Sequence, residues 1–210
     1  MSTSLVYKYS MQTTFIKLRG SLYTLQVDLP CNYTTLMQEF QGQPWVADEA
    51  GYGQNNFDTR YRLKEPQSDL LNGIVKDVEH GTFKQELIAA LYSDAFFPGY
   101  WGLTPDKMDQ TTHLYALYTW DRPGYNIRIH TDDRMHVAQG MIYFIDDDDT
   151  DQSTYAYTDK EGSNPLRVPT GYGCGFVNAN LNDSWHTGQN SSNKERYSLM
   201  IGLRLKQFHA

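Results

Sequence analysis

Eight short strand-like segments follow one another in the second half of the chain, and they limit the possible folds more than any other feature. Each is rich in β-branched or aromatic residues and is bounded by residues that favour turns. They cover residues 112–120, 125–131, 138–145, 153–158, 165–168, 173–179, 183–187 and 196–206. Eight such strands beside a separate helical layer suit a jelly roll built from two four-stranded sheets. The pattern alone also fits an ordinary β-sandwich.

The first half of the chain predicts elements that would support this barrel. Two helices are expected, because apolar residues recur at helical spacing from Ser68 to Val78 and from Thr82 to Leu91. The run Thr82-Phe-Lys-Gln85 has the form of a capping box for the second helix. Three strands are expected before them, with Gly20-Ser21 as a hairpin turn. These strands are Leu5–Tyr9, Thr14–Arg19 and Leu22–Asp28.

Two other segments are expected to be irregular. Residues 41–66 lack a clear period, and long loops of this kind often bind ligands. They are either a substrate loop around Trp45, Tyr52 and Tyr61 or a solvated connection. Residues 94–104 are rich in proline, glycine and aromatic residues and predict a turn that leads into the β half.

Length, charge and cysteine content restrict the class of protein. A chain of 210 residues fits one domain, residues 1–210, with strands and helices in 1–111 and a core in 112–206. A net charge of −7 without a basic stripe argues against a polynucleotide partner. Two isolated cysteines, Cys31 and Cys174, predict free thiols in a reducing, cytoplasmic compartment. The start has no signal-peptide pattern, and no apolar run reaches membrane-spanning length. The oligomeric state is not predicted.

One stretch, Gly124 to Asp132, carries the clearest chemical signal. It alternates like a strand and ends in His130-Thr-Asp132, whose two side chains lie on one face of a regular strand. His186 follows after a long gap. Two histidines and one carboxylate form the facial triad that holds non-haem Fe(II) and leaves positions open. Asp133 is expected on the opposite face, and His136 is a weaker rival for the second imidazole.

Arg196 and Ser198 follow His186 on a further strand-like run, ten and twelve residues on. The planar guanidinium of an arginine matches a carboxylate in a bidentate manner, and a serine hydroxyl adds one donor. The pair therefore predicts a site for an acid co-substrate near the metal.

Together, His130-x-Asp132, His186 and Arg196-x-Ser198 resemble the motif of the 2-oxoglutarate and Fe(II)-dependent dioxygenase superfamily, including prolyl-hydroxylase-like members of phage or bacterial type. Three neighbouring segments are similar to those of the family: Tyr118–Tyr125, Met141–Ile145, and Val168–Gly171 with Gly175–Val177. The resemblance covers roughly residues 112–206. It implies a mainly β protein with flanking helices (α+β), built on a cupin-like double-stranded β-helix.

The resemblance also implies an activity and roles for single residues. The expected enzyme is a dioxygenase that uses Fe(II), 2-oxoglutarate and O2, with ascorbate as a possible reductant, and releases succinate and CO2. It would hydroxylate an unactivated C–H bond of a small molecule or a peptide residue. Metal ligands would be His130, Asp132 and His186, and 2-oxoglutarate would contact Arg196, Ser198 and, unless Phe144 faces inward instead, Tyr143. Candidate substrate residues are Arg128, placed toward the cavity by strand alternation, with Trp120 and Tyr118, which fit a core role equally well.

Other interpretations remain open from the sequence. A cupin-like jelly roll that binds metal or ligand without turnover has the same barrel, and so does a structural assembly protein. The acidic loop Asp146–Asp151 invites a calcium interpretation, but it lacks the glycine and glutamate of an EF-hand and is more typical of a solvated turn. The substrate itself is not predicted.

Overall fold

The computed structural model describes residues 11–48, 59–94, 96–146 and 149–206. Within these ranges the chain forms twelve strands and five α-helices. The predicted strand Leu5–Tyr9 lies outside the described residues. The strands are β1 Thr13–Arg19, β2 Leu22–Val27, β3 Val46–Ala47, β4 Arg60–Leu63, β5 Thr112–Asp121, β6 Tyr125–His130, β7 His136–Phe144, β8 Thr154–Ala156, β9 Leu166–Arg167, β10 Cys174–Ala179, β11 His186–Asn190 and β12 Arg196–Leu205. The helices are α1 Tyr33–Phe40, α2 Asp69–His80, α3 Phe83–Tyr92, α4 Phe96–Trp101 and α5 Pro105–Thr111.

The strands form two antiparallel sheets that face each other. The larger has the order β1-β2-β10-β7-β12-β5-β4-β3, and the smaller has the order β6-β11-β8-β9. Strands β5 to β12 are divided between the two sheets, with four strands in each, which is the arrangement of a jelly roll. The predicted fold is confirmed, and each of the eight predicted segments overlaps one of these strands. The hairpin between β1 and β2 is also present, with Gly20 at φ +50°.

The helices cover the outer face of the larger sheet. Helix α2 buries Leu71, Ile74 and Val78, which recur at helical spacing, and α3 buries four apolar residues beside them. Both predicted helices are therefore confirmed. The predicted capping box is wrong, because the Thr82 hydroxyl donates to the Glu86 carboxylate (2.7 Å) and does not cap a backbone N–H.

The two segments predicted to be irregular contain regular structure. Residues 94–104 hold helix α4, and residues 41–66 contribute β3 and β4 to the edge of the larger sheet. Strand β4 forms because its backbone pairs with β5 over four residues, from Arg60 opposite Asp121 to Leu63 opposite Tyr118. The local sequence does not indicate which distant strand a segment such as β4 will pair with. Tyr52 lies outside the described residues.

Two apolar clusters lie on opposite faces of the larger sheet. The outer cluster joins the sheet to the helices and includes Phe144, which packs on Phe40 of α1. The inner cluster lies between the two sheets and includes Met141, Tyr143, Phe176 and Met200. Tyr143, rather than Phe144, therefore faces the inside of the barrel.

Neither Cys31 nor Cys174 forms a disulfide bond in the described structure, as predicted. Both are half-buried, and the Cys174 thiol donates to Gln26 Oε1 at 2.8 Å.

No helix among the described residues is both long and apolar enough to cross a membrane.

Strands β7 and β10 approach so closely at Gly175 that a side chain there would collide with the neighbouring backbone. An added Cβ would lie 2.0 Å from the Met141 carbonyl oxygen. We therefore expect Gly175→Ala to lower the free energy of unfolding by about 1–3 kcal/mol, the usual cost of overpacking. Urea denaturation measures the change. Gly99→Ala in helix α4 is the matched control, because nothing lies within 4 Å of its Cβ position, and it should be neutral or slightly stabilising. Equal stability of the two variants would contradict the close approach.

Candidate active site

The pairing of β6 with β11 brings the two predicted histidine ligands together. His130 at the end of β6 lies directly opposite His186 at the start of β11, and their ring centroids are 4.3 Å apart. Asp132 follows two residues after His130. Its Oδ1 lies 3.9 Å from His130 Nε2 and 3.8 Å from His186 Nε2. One ligand atom from each of the three residues therefore fits around a common point, within 4.8 Å of the others.

Backbone carbonyls determine which ring nitrogen of each histidine carries the proton. His130 Nδ1 is 2.8 Å from the Arg128 carbonyl, and His186 Nδ1 is 3.0 Å from the Ser184 carbonyl. Because a carbonyl only accepts, Nδ1 donates and Nε2 keeps its lone pair. Burial and the neighbouring His186 lower the pKa of His130, which favours the neutral imidazole that binds metals. Asn178 Nδ2 also donates to the Ser184 carbonyl (2.9 Å) and supports this arrangement.

Asp132 supplies the test of whether these residues fit a metal ion. Its side chain is buried, and its Oδ1 accepts no hydrogen bond from any of the described residues. A buried carboxylate oxygen without a partner is costly, and a cation held beside the two imidazoles would remove that cost. In the part of the chain that the structure describes, no other group of three His, Cys, Asp or Glu residues is arranged to hold a metal. The donor set and its geometry fit a facial triad.

The rival ligands are occupied elsewhere. Asp133 is exposed and accepts the Met135 N–H at 3.0 Å. His136 Nε2 lies 3.1 Å from the Tyr115 hydroxyl. In the acidic loop, Asp149 caps a short 3-10 turn by accepting the Asp151 N–H, and residues 147–148 lie outside the described ranges.

The triad opens into a cavity inside the barrel, which we call the triad cavity. Its walls combine apolar side chains with three arginines. They are Arg60, Arg62, Tyr125, Ile127, His130, Asp132, Gln139, Gly140, Met141, Thr154, Phe176, His186, Thr187, Gly188, Arg196 and Met200.

A single buried carboxylate, Asp121, joins two of the arginines of this cavity. Arg60 binds both of its oxygens, at 2.5 and 2.8 Å, and Arg196 binds Oδ2 through Nε (3.1 Å) and Nη2 (2.7 Å). Burial raises the pKa of Asp121, but the two guanidinium groups outweigh it and hold that pKa below its usual range. Asp121 is thus ionised, and the three groups together carry one net positive charge.

The two arginines differ in how many N–H groups remain for a ligand. An arginine has five. Arg196 uses four, two toward Asp121 and two from Nη1 toward the Gln152 and Gln189 carbonyls (both 2.7 Å). Arg60 uses two, both toward Asp121, and its guanidinium also lies 4.0 Å from the Tyr125 ring centroid. Most of the hydrogen-bonding capacity left on this cationic pair therefore belongs to Arg60.

The other two predicted co-substrate residues lie deeper than Arg196. Ser198 is fully buried, forms a 2.8 Å hydrogen bond with Thr119 Oγ1, and does not line the triad cavity. Tyr143 is also fully buried, and its hydroxyl is 2.6 Å from Thr154 Oγ1, which does line the cavity. The structure therefore places Tyr143 one hydrogen bond away from the cavity.

The alternation argument that placed Arg128 toward the cavity is wrong. His186 pairs with His130, but Gly188 pairs with Ile127, so β6 has one more residue than β11 across this interval. Such a bulge reverses the alternation. Ile127 and His130 both line the cavity, while Arg128 and Asn126 are exposed.

Tyr118 and Trp120 lie on the outer face of β5, away from the triad. Tyr118 is fully buried and donates to the Leu71 carbonyl of α2 at 3.0 Å. Trp120 stacks on Tyr61 with ring centroids 4.8 Å apart. Tyr118 is thus part of the outer apolar core, and Trp120 is a half-buried member of an aromatic stack.

Arg60, Arg62 and Asp121 were not identified from the sequence. A weak signal existed in Arg60-Tyr-Arg62-Leu63, which alternates charged and apolar residues like a strand. Strand β4 places Arg60 opposite Asp121 and Arg62 opposite Thr119. Arg62 also forms a salt bridge of 2.8 Å with Asp48.

Several solved structures of oxygenases and hydroxylases have a fold similar to that of this chain. A prolyl hydroxylase from Trichoplax adhaerens, in complex with a hypoxia inducible factor peptide, has a TM-score of 0.59 at 8% identity over 88% of this chain and 83% of that chain. The dioxygenase for auxin oxidation 1 of Arabidopsis thaliana, in complex with 2-oxoglutarate, has a TM-score of 0.55 at 13% sequence identity, and the match covers 83% of this chain and 77% of that chain. A Pseudomonas putida prolyl-4-hydroxylase has a TM-score of 0.53 at 12% sequence identity, and the match covers 95% of each chain. The fold is that of the 2-oxoglutarate and Fe(II)-dependent oxygenases. Neither a protein-family model nor a curated protein matches the sequence.

We expect the triad to bind one divalent Fe or Mn ion per chain. Loss of outer partners alone typically weakens metal binding 10–100-fold, so His130→Ala, Asp132→Ala and His186→Ala should each weaken it by at least about 100-fold. Anaerobic calorimetry with Mn(II) measures this. His80→Ala, which removes a largely exposed histidine at the end of α2, is the control and should bind like the parent. Tight, stoichiometric metal in two of the three triad variants would indicate a different site.

Proposed function

We propose that the protein is an Fe(II)- and 2-oxoglutarate-dependent dioxygenase that hydroxylates an unactivated C–H bond of a small molecule or a peptide residue and releases succinate and CO2. One observation carries the proposal: a His-Asp-His triad with an unsatisfied carboxylate oxygen shares one cavity with a buried, net positive arginine pair. A metal ligand set and an anion site in a single cavity are what a metal-dependent enzyme with an acid co-substrate requires.

The chain's own residues would position the metal and tune it. His130 and His186 would offer Nε2, and Asp132 would offer Oδ1. The carbonyls of Arg128 and Ser184 fix both imidazoles and increase their basicity. Fe(II) held there would supply the activation of O2 together with 2-oxoglutarate, and ascorbate would serve as an external reductant.

The arginine pair would bind the carboxylate of 2-oxoglutarate that lies far from the metal. Arg196 contributes its fixed charge and one remaining N–H, and Arg60 contributes three N–H groups. Because both guanidinium groups are held by Asp121, binding would cost little conformational entropy. Tyr143, whose pKa is raised by burial, stays a phenol and would support Thr154 on the cavity wall.

The apolar walls would keep water away from the reacting atoms. Met141, Phe176 and Met200 belong to the inner cluster, and each lines the triad cavity. Exclusion of water strengthens the electrostatic interactions inside a site and limits side reactions. The cavity therefore offers both the charge and the dryness that such chemistry needs.

A non-catalytic metal-binding jelly roll is the second candidate, and one observation favours it. A jelly roll without turnover needs no residue for a co-substrate, so the sequence alone gave this candidate no reason for Arg196. In the structure Arg196 donates four internal hydrogen bonds and so has a structural role. The two candidates differ in 2-oxoglutarate binding and turnover. A succinate-release screen against a panel of metabolites and short peptides, with Asp132→Ala as the inactive control, decides between them. Release that depends on both a panel compound and Asp132 supports the dioxygenase.

We expect Arg60 and Arg196 to be needed for 2-oxoglutarate binding. Removal of a charge-assisted hydrogen bond from a partly buried pocket costs roughly 2–5 kcal/mol, which is about thirty-fold to a few thousand-fold in affinity. Arg196→Ala and Arg60→Ala should each weaken binding within this range, and the lysine variants should recover part of it. Calorimetric titration of 2-oxoglutarate into Mn(II)-loaded protein under argon measures the change.

The controls separate binding from folding. Arg196 is buried, so the thermal midpoint and Mn(II) affinity of each variant are measured first. Ser198→Ala removes a buried hydroxyl that does not line the cavity, so it should change 2-oxoglutarate affinity by less than about threefold. If both arginine variants fold, bind Mn(II) and bind 2-oxoglutarate like the parent, the co-substrate site lies elsewhere.

A further inference from the structure

Three basic or imidazole side chains form a row across three adjacent strands of the larger sheet. Arg204 on β12 lies directly opposite His113 on β5 and opposite His136 on β7. Directly opposed residues place their Cβ atoms about 4.5–5.5 Å apart, so the three side chains are close neighbours. They line a cavity of about 300 Å³ together with Arg62, Tyr115 and Gln139, which we call the basic pocket.

The basic pocket holds positive charge without a matching carboxylate. None of the residues that line it is acidic. Arg62 is paired with Asp48, but Arg204 forms no ion pair or hydrogen bond within the described part of the chain. Burial lowers the pKa of both His113 and His136, so near neutral pH the uncompensated charge is that of Arg204. A cation without a partner on a concave surface is a site for an anion.

One buried polar atom of the basic pocket also lacks a partner among the described residues. Gln139 Oε1 is buried and accepts no hydrogen bond, whereas His136 Nε2 is held by the Tyr115 hydroxyl. Buried polar atoms are normally satisfied, so exceptions mark places where a ligand or ordered water belongs. The Tyr115 ring, which lines the pocket, lies so close to Gly202 that an added Cβ there would be 2.3 Å from it.

The basic pocket adjoins the triad cavity. Arg62, Gln139 and Met200 line both spaces and form the wall between them. A molecule whose anionic end occupies the basic pocket can therefore extend past Gln139 and Met200 toward the metal ligands. The arginine pair at Asp121 remains separate and is left for the co-substrate.

We propose that the basic pocket binds the anionic end of the substrate, and that the substrate is a small molecule with a carboxylate or phosphate group recognised by Arg204. This inference rests on the proposed function for its connection to catalysis, while anion binding itself depends only on the pocket. The whole chain carries a net charge of −7, so attraction of an anion to this place requires a local site and does not follow from the overall field.

The test measures anion binding to the Zn(II)- and 2-oxoglutarate-loaded protein, in which the co-substrate site is filled and the diamagnetic metal leaves the NMR signals of nearby arginines sharp. The probes are inorganic phosphate and two matched pairs of an anion with an uncharged partner, hippurate with hippuramide and phenyl phosphate with phenol. Binding is followed by NMR through the Nε–H signals of the arginines. We expect the Arg204 signal to shift with a Kd of about 1 mM or tighter for at least one anion, and about tenfold weaker binding of its neutral partner. The probe pair in which the anion binds more tightly than its uncharged partner shows whether the basic pocket recognises a carboxylate or a phosphate.

Two variants make the result specific. Binding in Arg204→Gln is followed through the Nε–H signal of Arg62, which lines the same pocket, because this variant has no Arg204 signal. The substitution should lower the affinity for the bound anion by roughly tenfold to a hundredfold without changing the affinity for 2-oxoglutarate. Lys206→Gln removes an exposed charge two residues away, whose ammonium group donates to the Gln110 carbonyl, and should have little effect. No shift of the Arg204 signal with any probe, or equally weakened binding in the two variants, overturns the proposal.

The same titration keeps the two proposals apart. If 2-oxoglutarate binds but no anion shifts Arg204, the basic pocket is not the substrate site and the proposed function stands. If 2-oxoglutarate does not bind, the proposed function fails. The anion series on the protein without 2-oxoglutarate then still decides whether the pocket binds oxyanions.

Discussion

The antiparallel pairing of β6 with β11 is the constraint on which the site depends. It places His130 opposite His186, and the bulge between Ile127 and His130 turns both of these residues toward the same cavity. Without the extra residue, strand alternation would direct His130 to the face opposite Ile127. The turn that follows β6 then returns Asp132 beneath the two imidazoles, where its Oδ1 lies almost equally far from both Nε2 atoms.

A second constraint organises charge on the inner face of β12. Arg196, Met200 and Arg204 share that face because they are separated by multiples of two residues. At about 3.4 Å per residue, Arg196 and Arg204 lie about 27 Å apart along the strand, with Met200 midway. Met200 lines both the triad cavity and the basic pocket. Strand β12 therefore carries a cation fixed by Asp121 at one end and lines the triad cavity through Met200 near its middle. At its other end it carries Arg204, a cation without an ion pair among the described residues.

The sequence predicted the parts of the structure that local patterns encode. The eight core strands follow from turn residues and alternation, and α2 and α3 follow from apolar spacing. The triad was found because two of its members are two residues apart and the third has a distinctive downstream partner, Arg196. Arg60 and Asp121 were missed because they meet only through the pairing of β4 with β5, which joins residues 61 positions apart. The orientation of Arg128 was wrong because a bulge has no reliable local signature.

The most direct test of the central claim is an anaerobic optical titration of the Fe(II)-loaded protein with 2-oxoglutarate. A 2-oxo acid that chelates Fe(II) in a facial triad produces a weak visible metal-to-ligand charge-transfer band. The account predicts that this band appears and saturates at one 2-oxoglutarate per chain, and that it is absent in Asp132→Ala. Loading of the parent protein with Fe(II) and 2-oxoglutarate without any such band would contradict the account.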